Sequence, residues 1–318
     1  MGIVDPGYAF VPLPAEVLRR PRDEATHDRR LPGHYSGRIE CELVCEQPVH
    51  TGSGFKNVEE DESNRFQVRR AASTSFGSPV IPGSGLKGVL RARYEAITHS
   101  CLLFEVPSDV QADARGYGPC RVETGETTDA ALCPACSLFG TMSRRSRVTV
   151  EDARGNDLRL VVAKMPEQFG PRPEKLALGG QLRGRKFSRG RFRTEPPLDA
   201  KLMRVEVLPE GSTLVFGLRV LNLTEAELGG LLTSLGHTPA SRLKVGGGKG
   251  VEGRIHDEGA RKEIDTGFGR VRVTEVRLGL RGGVEPADPK RARAAFEGSD
   301  DRFEAGERAL AEIHQGDC

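Results

Sequence analysis

The sequence predicts an α+β fold built on a ferredoxin-like core. Residue patterns give the order strand, helix, strand, insertion, strand, helix, glycine-rich loop and strand, and no repeat of fixed period is present. Once the insertions are removed, this order is the split β-α-β unit. The insertions are residues 101–140, which carry cysteines, and residues 166–200, which are rich in Gly, Pro and Arg. We expect a long hairpin or protruding loop over the second one.

The first strand and first helix follow from periodicity. Over residues 36–49, apolar and charged positions alternate, as in a half-buried strand. A loop is expected over residues 50–64. Apolar residues at helical spacing predict a helix over residues 84–100, with Ser84 as a candidate N-cap.

The second half repeats this strand and helix pattern. Strands are predicted over residues 146–153, 157–165 and 269–280, with two more over residues 201–222 across a Pro-Glu-Gly turn. The helix over residues 224–236 has Thr224 as its cap, Glu227 to complete a capping box, and Gly236 as its stop. A glycine-rich loop leads into a short strand over residues 244–255.

Three parts are expected along the chain. Residues 1–35 form an irregular lead-in rich in proline and charge, and residues 36–283 form one domain that contains both insertions. Residues 284–318 form a charged tail, which is expected to be a solvated helix with frayed ends.

Composition limits the classes of partner and location. Of 318 residues 29% are charged, yet the net charge is +2, so any anionic partner must bind at local patches. No signal peptide and no run of 18 apolar residues is present, so no membrane association is expected. The cytoplasm is the expected location, and there the seven cysteines are not expected to form structural disulfides.

The stretch "IPGSGLKG" (residues 81–88) combines a glycine-rich turn with a helix start. It lacks the P-loop spacing, because Gly88 follows Lys87 where Ser or Thr would be needed. Backbone amides at the start of the helix, with Ser84, Lys87 and Arg91 nearby, suit one phosphate of a polymer. The alternative is a tight turn with a solvated lysine.

A second glycine-lysine loop lies at Gly246–Gly250. Glycines here permit close approach to a ligand or to another chain, and Lys249 favours a phosphate. Gly247, Gly248 and Lys249 are therefore candidate binding residues. The alternative is a flexible hairpin turn.

Residues 181–193 carry six cations and no acid, with Phe187 and Phe192 interleaved. Such a segment can neutralise several phosphates and stack a base. The alternative is a solvated loop. The cations are Arg183, Arg185, Lys186, Arg189, Arg191 and Arg193. The nearby Arg144 and Arg145 extend the patch.

The cysteines of the first insertion predict a structural zinc site. Cys133 and Cys136 form a C-P-A-C motif, Cys120 lies upstream, and either Cys101 or His99 could complete a tetrahedral set. Free thiols and a redox motif are the alternatives. The redox alternative is disfavoured because no thioredoxin-like unit surrounds the motif.

An acidic run, Glu59 to Glu62, lies in the loop predicted after the first strand. Such runs are commonly solvated. This one could instead hold a divalent metal against a scissile phosphate.

Four motifs together resemble the RAMP superfamily, the repeat-associated proteins of type III CRISPR effectors. They are "IPGSGLKGVLR" (81–91), "CPACSLFG" followed by "RVTVEDA" (133–153), "LRGRKF" (182–187) and "KVGGGKG" (244–250). The resemblance spans about residues 8–255. One position after the glycine loop differs from the family pattern. Glu252 lies where family members usually have an aromatic or apolar residue. The alternative is that "GFGRV" (267–271) is the loop-to-strand junction and that the residues before it are an insertion.

The resemblance implies a modified ferredoxin-like, RNA-recognition-like core that binds CRISPR guide RNA in a multi-subunit antiviral complex. The turn at Lys87 would hold the guide's sugar-phosphate backbone. Some members cut target RNA with an aspartate in the loop after the first strand. Asp61 is the candidate here, with magnesium or manganese, although its surroundings depart from the family pattern. The alternatives are a non-catalytic structural subunit and a metal-independent guide-processing endoribonuclease with a His or Tyr base.

Overall fold

The computed structural model shows a mixed α+β protein with five α-helices in the part of the chain that it describes. The described residues are 8–60, 66–102, 116–121, 131–142, 144–166, 177–178, 181–189, 202–236, 242–249, 252–257 and 262–315.

The helices are α1 (Gly83–Ala96), α2 (Pro134–Phe139), α3 (Glu225–Ser234), α4 (Pro289–Glu297) and α5 (Glu304–Gln315), with a short 3-10 helix at Asp23–Ala25. The strands are β1 (Tyr8–Val11), β2 (Tyr35–Cys45), β3 (Gly52–Glu60), β4 (Phe66–Ala72), β5 (Thr74–Ser75), β6 (Ser78–Pro79), β7 (Val148–Val150), β8 (Val161–Pro166), β9 (Ala177–Leu178), β10 (Gln181–Leu182), β11 (Arg185–Ser188), β12 (Leu202–Val207), β13 (Thr213–Leu223), β14 (Leu243–Lys244), β15 (Glu252–Asp257), β16 (Lys262–Gly267) and β17 (Arg270–Arg281). Among the described helices, none has the length and apolar character needed to cross a membrane.

A five-stranded antiparallel sheet, in the order β14-β17-β2-β13-β7, carries the main core. The alternation in β2 has the predicted effect, because Ile39, Cys41 and Leu43 are fully buried on its inner face. Leucines of α1 and α3 belong to the same core cluster. Strands and helices predicted for these segments are thus confirmed, and β7 and β8 are shorter than predicted.

The two strands predicted over residues 201–222 form, but they belong to different sheets. β13 lies in the five-stranded sheet, and β12 lies in a six-stranded sheet of order β16-β15-β8-β12-β4-β3. The turn between them contains Gly211 at φ 83°, a conformation that favours glycine. This turn therefore passes the chain from one sheet to the other.

The prediction of a loop over residues 50–64 is wrong for its described part, because β3 occupies Gly52–Glu60 and pairs with β4. Phe55 and Val58 in β3 are exposed, so the strand has no buried face to give the usual alternation. A polar anchor holds the hairpin instead. The Glu206 carboxylate of β12 accepts hydrogen bonds from the Asn57 amide and the Ala72 backbone N–H, each at 2.9 Å.

The ends of α1 and α3 are capped differently. Thr224 and Glu227 form the predicted capping box of α3, and Gly236 follows the helix with φ 66°. α1 begins at Gly83, with Pro82 as its N-cap, so Ser84 is not the cap. The Gly83 N–H donates instead to the Asp152 carboxylate at 2.9 Å.

The lead-in and the second insertion meet in a two-stranded ribbon. β1 from the lead-in pairs antiparallel with β11, so this part of residues 166–200 is attached to the body. β9 and β10 form a separate short hairpin.

The C-terminal residues form two packed helices, so the prediction of one solvated helix is wrong. Ala292 and Phe296 of α4 are buried against α3, and Leu310 of α5 is buried in a smaller cluster with Val11, Ala96 and Ile97. Asp301, in the turn between the helices, accepts two hydrogen bonds from Arg22 of the lead-in, at 2.7 and 2.8 Å. The many charged residues in this segment led to the prediction of a solvated helix. A few apolar residues are enough to pack each short helix against the body, and they do not stand out in the sequence.

The hairpin β15–β16 interrupts the glycine-rich region. β14 pairs with the start of β17, and β15 and β16 pair with each other and join the six-stranded sheet through β8. "GFGRV" therefore lies at a loop-to-strand junction beside the glycine loop, since the Val245 N–H donates to the Gly269 carbonyl at 2.7 Å.

Candidate metal site and nucleic-acid interface

Four buried cysteines of the first insertion and its flank converge on one point. The sulfur atoms of Cys101, Cys120, Cys133 and Cys136 all lie within 4.8 Å of one another. Cys101 Sγ is 3.5 Å from both Cys133 Sγ and Cys136 Sγ, and 4.0 Å from Cys120 Sγ. His99 is elsewhere, with its ring against Phe303, so Cys101 is the fourth member of the set.

These distances suit a tetrahedral metal ion. A Zn–S bond of about 2.3 Å gives sulfur–sulfur edges of about 3.8 Å in a tetrahedron, within the observed range. Hydrogen-bonding contact with Cys101 Sγ lowers the pKa of the Cys133 thiol to about 6, and also lowers the pKa of Cys120. The four cysteines could therefore hold a metal such as zinc.

The start of α2 supports this cluster. Cys133 is the N-cap of α2, and its sulfur accepts from the Cys136 N–H at 3.5 Å. Pro134 at the first helical position fixes the turn between the two cysteines. The CxxC spacing therefore places both sulfurs on the same side of the helix start.

Two arginines connect the cluster to the rest of the molecule. Arg91 of α1 lies 3.5 Å from Cys136 Sγ and pairs with Glu95 at 2.8 Å. Arg185 of β11 pairs with the same Glu95 at 3.0 Å and donates to the backbone carbonyl of Cys101 at 3.0 Å. The Arg91 guanidinium thus lies beside a sulfur of the cluster, and the Arg185 guanidinium lies beside the Cys101 backbone, buried rather than available at the surface.

A cationic cleft of about 100 Å³ lies on the other flank of α1. Its basic residues come from four segments: Arg93 of α1, Lys186 of β11, Lys244 and Lys249 around the glycine loop, and His314 of α5. No carboxylate is among its described lining residues. The remaining lining residues are Val89, Ala92, Phe187 and Ser188. The cleft can therefore attract an anion, and it joins two of the regions that the sequence singled out.

Arg93 and His314 form the polar floor of the cleft. Arg93 is buried and donates to the Ser234 carbonyl at 2.8 Å, to the Arg242 carbonyl at 3.1 Å and to His314 Nδ1 at 2.9 Å. Burial lowers the pKa of Arg93 to about 10. Burial, followed by the charges of Arg93 and Lys244, lowers the pKa of His314 to about 3. His314 is therefore neutral near pH 7, with its proton on Nε2.

The first motif does not contribute its lysine to this cleft. Lys87 and Arg91 lie on the flank of α1 that faces α2, where burial and then the Arg91 charge lower the pKa of Lys87. Ser84, Gly85 and Gly88 are exposed, and the two glycines have open space around them. The structure thus separates Lys87 from the glycine loop and leaves small residues on the exposed face between them.

The glycines of the second loop have structural roles of their own, because they make close contacts within the chain. The Gly247 N–H donates to the His50 carbonyl at 2.8 Å, and Gly248 has φ 71° with Met165 where a Cβ would lie. Lys249 is exposed and lines the cleft. The close backbone approach that the sequence predicts is therefore to another part of the same chain.

The cations of "LRGRKF" point in different directions. Arg185 and Phe187 face inward, whereas Arg183 and Lys186 are exposed. Arg183 lies over the ring of Phe10 at 4.5 Å, and Lys186 lies over the ring of Tyr8 at 4.0 Å.

The other predicted residues lie apart from the cleft. Arg144 donates to the Ala25 carbonyl, and Arg145 is exposed. Asp61 lies outside the described residues, as does Glu62.

Sequence reasoning missed Arg93, Lys244 and His314. Lys244 is the first residue of the glycine motif at residues 244–250, so its charge could have indicated a cationic site. Arg93 looks like an ordinary helix residue, and His314 lies far away in the chain, so their contact depends on tertiary packing alone.

The open face of the five-stranded sheet is unlike the cleft. Several of its charges are paired with one another: Arg38–Glu151 at 2.8 Å, Arg219–Glu151 at 2.9 Å and Arg277–Glu275 at 2.7 Å. No aromatic residue is among the described outward positions of β2, β13 and β17. In the part of the chain that the structure describes, this face therefore offers paired charges and no aromatic stacking surface.

A family model described as the RAMP superfamily matches residues 42–272, which is well over half of the chain. No curated protein gives a significant match. The matched region contains α1, the cysteine cluster, β11 and the glycine loop. The chain therefore belongs to the RAMP superfamily.

Proposed function

We propose that this protein is a guide-RNA-binding backbone subunit of a type III CRISPR effector complex. The observation that carries the proposal is the cleft in which Lys186, Lys244 and Lys249 meet without a described carboxylate. The RAMP family fits a CRISPR-associated RNA-binding role. The proposed partners are guide RNA, target RNA and other subunits of the complex, in the cytoplasm.

The arrangement of the core supports this assignment. In chain order, β2, β7, β13 and β17 are the first to fourth strands, with α1 after the first and α3 after the third. Their order in the sheet is β17-β2-β13-β7, with antiparallel neighbours. This is the order expected of a ferredoxin-like fold, with β14 added at one edge. The proposed RNA surface is the cleft on the helix side rather than the open sheet face.

Cations in a cleft suit a guide whose sequence varies. Lysine ammonium groups neutralise phosphates whatever the bases are, so a subunit can accept any spacer. The cleft lies between α1, β11 and the glycine loop, so a bound RNA strand would contact residues from both halves of the protein chain.

The test is the salt dependence of single-stranded RNA binding. We expect Lys186→Ala combined with Lys249→Ala to weaken binding and to lower the slope of log K against log salt by about 1 to 1.5, since each phosphate contributes about 0.7. The matched control is Arg219→Ala with Arg277→Ala, which removes two exposed but ion-paired cations from the open sheet face. An equal loss in both double variants would contradict a binding site at the cleft.

We also propose that Asp61 holds a divalent metal that cleaves target RNA. This part of the proposal rests on the family resemblance. The expected result is that Asp61→Ala abolishes magnesium- or manganese-dependent cutting in the assembled complex and leaves guide binding intact. Alanine variants of Glu59, Glu60 and Glu62 show whether a neighbour takes its place. If the wild-type complex does not cut, the protein is a structural RNA-binding subunit.

We also propose that the cysteine cluster holds structural zinc. All four positions are filled by protein sulfurs, which is typical of a closed structural site. Elemental analysis of protein purified without added metal should give one equivalent per chain.

A further inference from the structure

The outward face of the β1–β11 ribbon combines aromatic rings with cations. In its register, Tyr8 pairs with Ser188 and Phe10 pairs with Lys186. Cross-strand partners share a face, as do alternate residues of one strand. Tyr8, Phe10 and Lys186 therefore lie on the same side, and Arg183 joins them through its contact with Phe10. The rings of Tyr8 and Phe10 meet edge to face, with centroids 5.6 Å apart.

The inward face of the ribbon already supplies its packing. Val11 is fully buried, Phe187 packs against the cluster of Ala96, Ile97, Phe296 and Leu310, and Arg185 makes the buried ion pair with Glu95. Tyr8 and Phe10 are on the opposite side and only half-buried. The two rings are thus not required to attach the ribbon to the body.

The cations above the rings have no acidic partner among the described residues. Neither Arg183 nor Lys186 forms an ion pair there, although most of the other described arginines do, for example Arg185, Arg219 and Arg277. Lys186 also lines the cationic cleft, so the aromatic face lies at the edge of the cleft. An RNA phosphate at Lys186 would place the neighbouring bases beside this ribbon.

We propose that Tyr8 and Phe10, with Arg183 and Lys186, form a base-stacking platform for single-stranded RNA at the edge of the cleft. Bases stack on aromatic rings and on guanidinium planes without regard to sequence, and the lysine contacts the phosphate between them. This inference rests on the proposed RNA-binding function. It assigns a binding role to the N-terminal strand.

The experiment compares two RNA ligands of equal length and charge, one normal and one with abasic sugars in place of the nucleotides. Wild-type protein should bind the normal strand about tenfold or more tightly than the abasic strand, because stacking contributes to affinity. The variant with Tyr8→Leu and Phe10→Leu keeps the apolar bulk and removes the rings. It should lose most of this preference and keep the salt slope of wild type.

Two controls complete the design. Tyr8→Phe retains a ring and should retain the preference. Phe76→Leu removes an exposed aromatic residue that also has an arginine above its ring, at 5.9 Å, but lies on the β5–β6 turn. It should behave as wild type.

The outcomes separate the platform from the proposed function. If wild type binds normal and abasic RNA equally, the platform is wrong and RNA binding stands. If it binds neither strand, both are wrong. If the leucine variant keeps the full preference for bases, the stacking residues are elsewhere, and the aromatic face is then better explained as a contact for another protein subunit.

Discussion

The protonation state of His314 depends on charges from distant parts of the chain. His314 accepts a hydrogen bond from Arg93 and lies near Lys244, so a proton on its ring would add a third positive charge to a buried site. The cleft therefore keeps a neutral imidazole beside two cations. We therefore expect the folded state to be sensitive to acid.

We expect His314→Gln to reduce the loss of stability on acidification. The folded-state pKa is about 3 against the usual 6.5, so the stabilising contribution is complete above about pH 6.5 and is lost as the pH falls towards 3. Between about pH 7.5 and pH 5 wild type should lose about 2 kcal/mol more than the variant. Urea denaturation at both pH values measures this difference, since the other titrating groups are shared. If wild type and the variant lost the same free energy of unfolding between these pH values, the pKa of His314 in the folded state would not be lowered.

Arg183, Arg185 and Lys186 show the limit of sequence reasoning at this scale. A run of cations predicts local charge correctly, but pairing with β1 decides which of them faces solvent. Arg185 is buried beside Glu95, while Arg183 and Lys186 cover aromatic rings of the lead-in. No local pattern shows this register, because the partner strand is more than 170 residues away in the sequence.

At the scale of elements, glycines have opposite roles in two helices. Gly229 of α3 lies against α4, where an added Cβ would be 2.0 Å from the Ala292 carbonyl oxygen. Gly88 of α1 has no atom within 4 Å of that position. The first glycine allows two helices to approach closely, and the second leaves a helix surface open.

The same substitution should therefore have opposite effects. Gly229→Ala should lower the free energy of unfolding by about 1 to 3 kcal/mol, because the backbone of α4 must move away. Gly88→Ala should raise it by about 0.5 to 1 kcal/mol, since alanine favours the helix and meets no neighbour. Chemical denaturation of both variants checks the pair. A loss of similar size in both would mean that helix packing is not what distinguishes them.

Elements with strong local signals were predictable, and those held by remote partners were not. The capping box of Thr224 and Glu227 and the alternation of β2 are properties of adjacent residues. β3 contacts Glu206 through Asn57, and α4 packs on the glycine surface of α3. Residues far away in the chain supply these contacts, so composition alone suggested a loop and a solvated tail.

At the scale of the whole molecule, charge is arranged in separate regions. The open sheet face has paired charges, whereas the cleft collects cations from α1, β11, the glycine loop and α5. A net charge of +2 therefore conceals a local basic site. The cysteine cluster lies on the opposite flank of α1 and meets the ribbon through Arg185 and Glu95.

Through this connection, we expect the proposed metal site to support the proposed RNA surface from a distance. Four thiolates around zinc carry a net charge of about −2, and Arg91 and Arg185 lie where they would offset it. Without the metal, Glu95 would be the one charged partner of Arg185 among the described residues. The position of β11, which carries Lys186, would then be less well determined.

We expect Cys133→Ala to abolish zinc binding, to lower the free energy of unfolding by at least about 3 kcal/mol and to weaken RNA binding. The matched control is Cys45→Ala, which removes an equally buried thiol from β2, outside the cluster. It should retain one equivalent of zinc and wild-type RNA affinity. Elemental analysis, chemical denaturation and RNA titration below the unfolding transition measure the three effects. If Cys133→Ala lost its zinc yet bound RNA with unchanged affinity and salt slope, the cluster would stabilise its own insertion without positioning the ribbon.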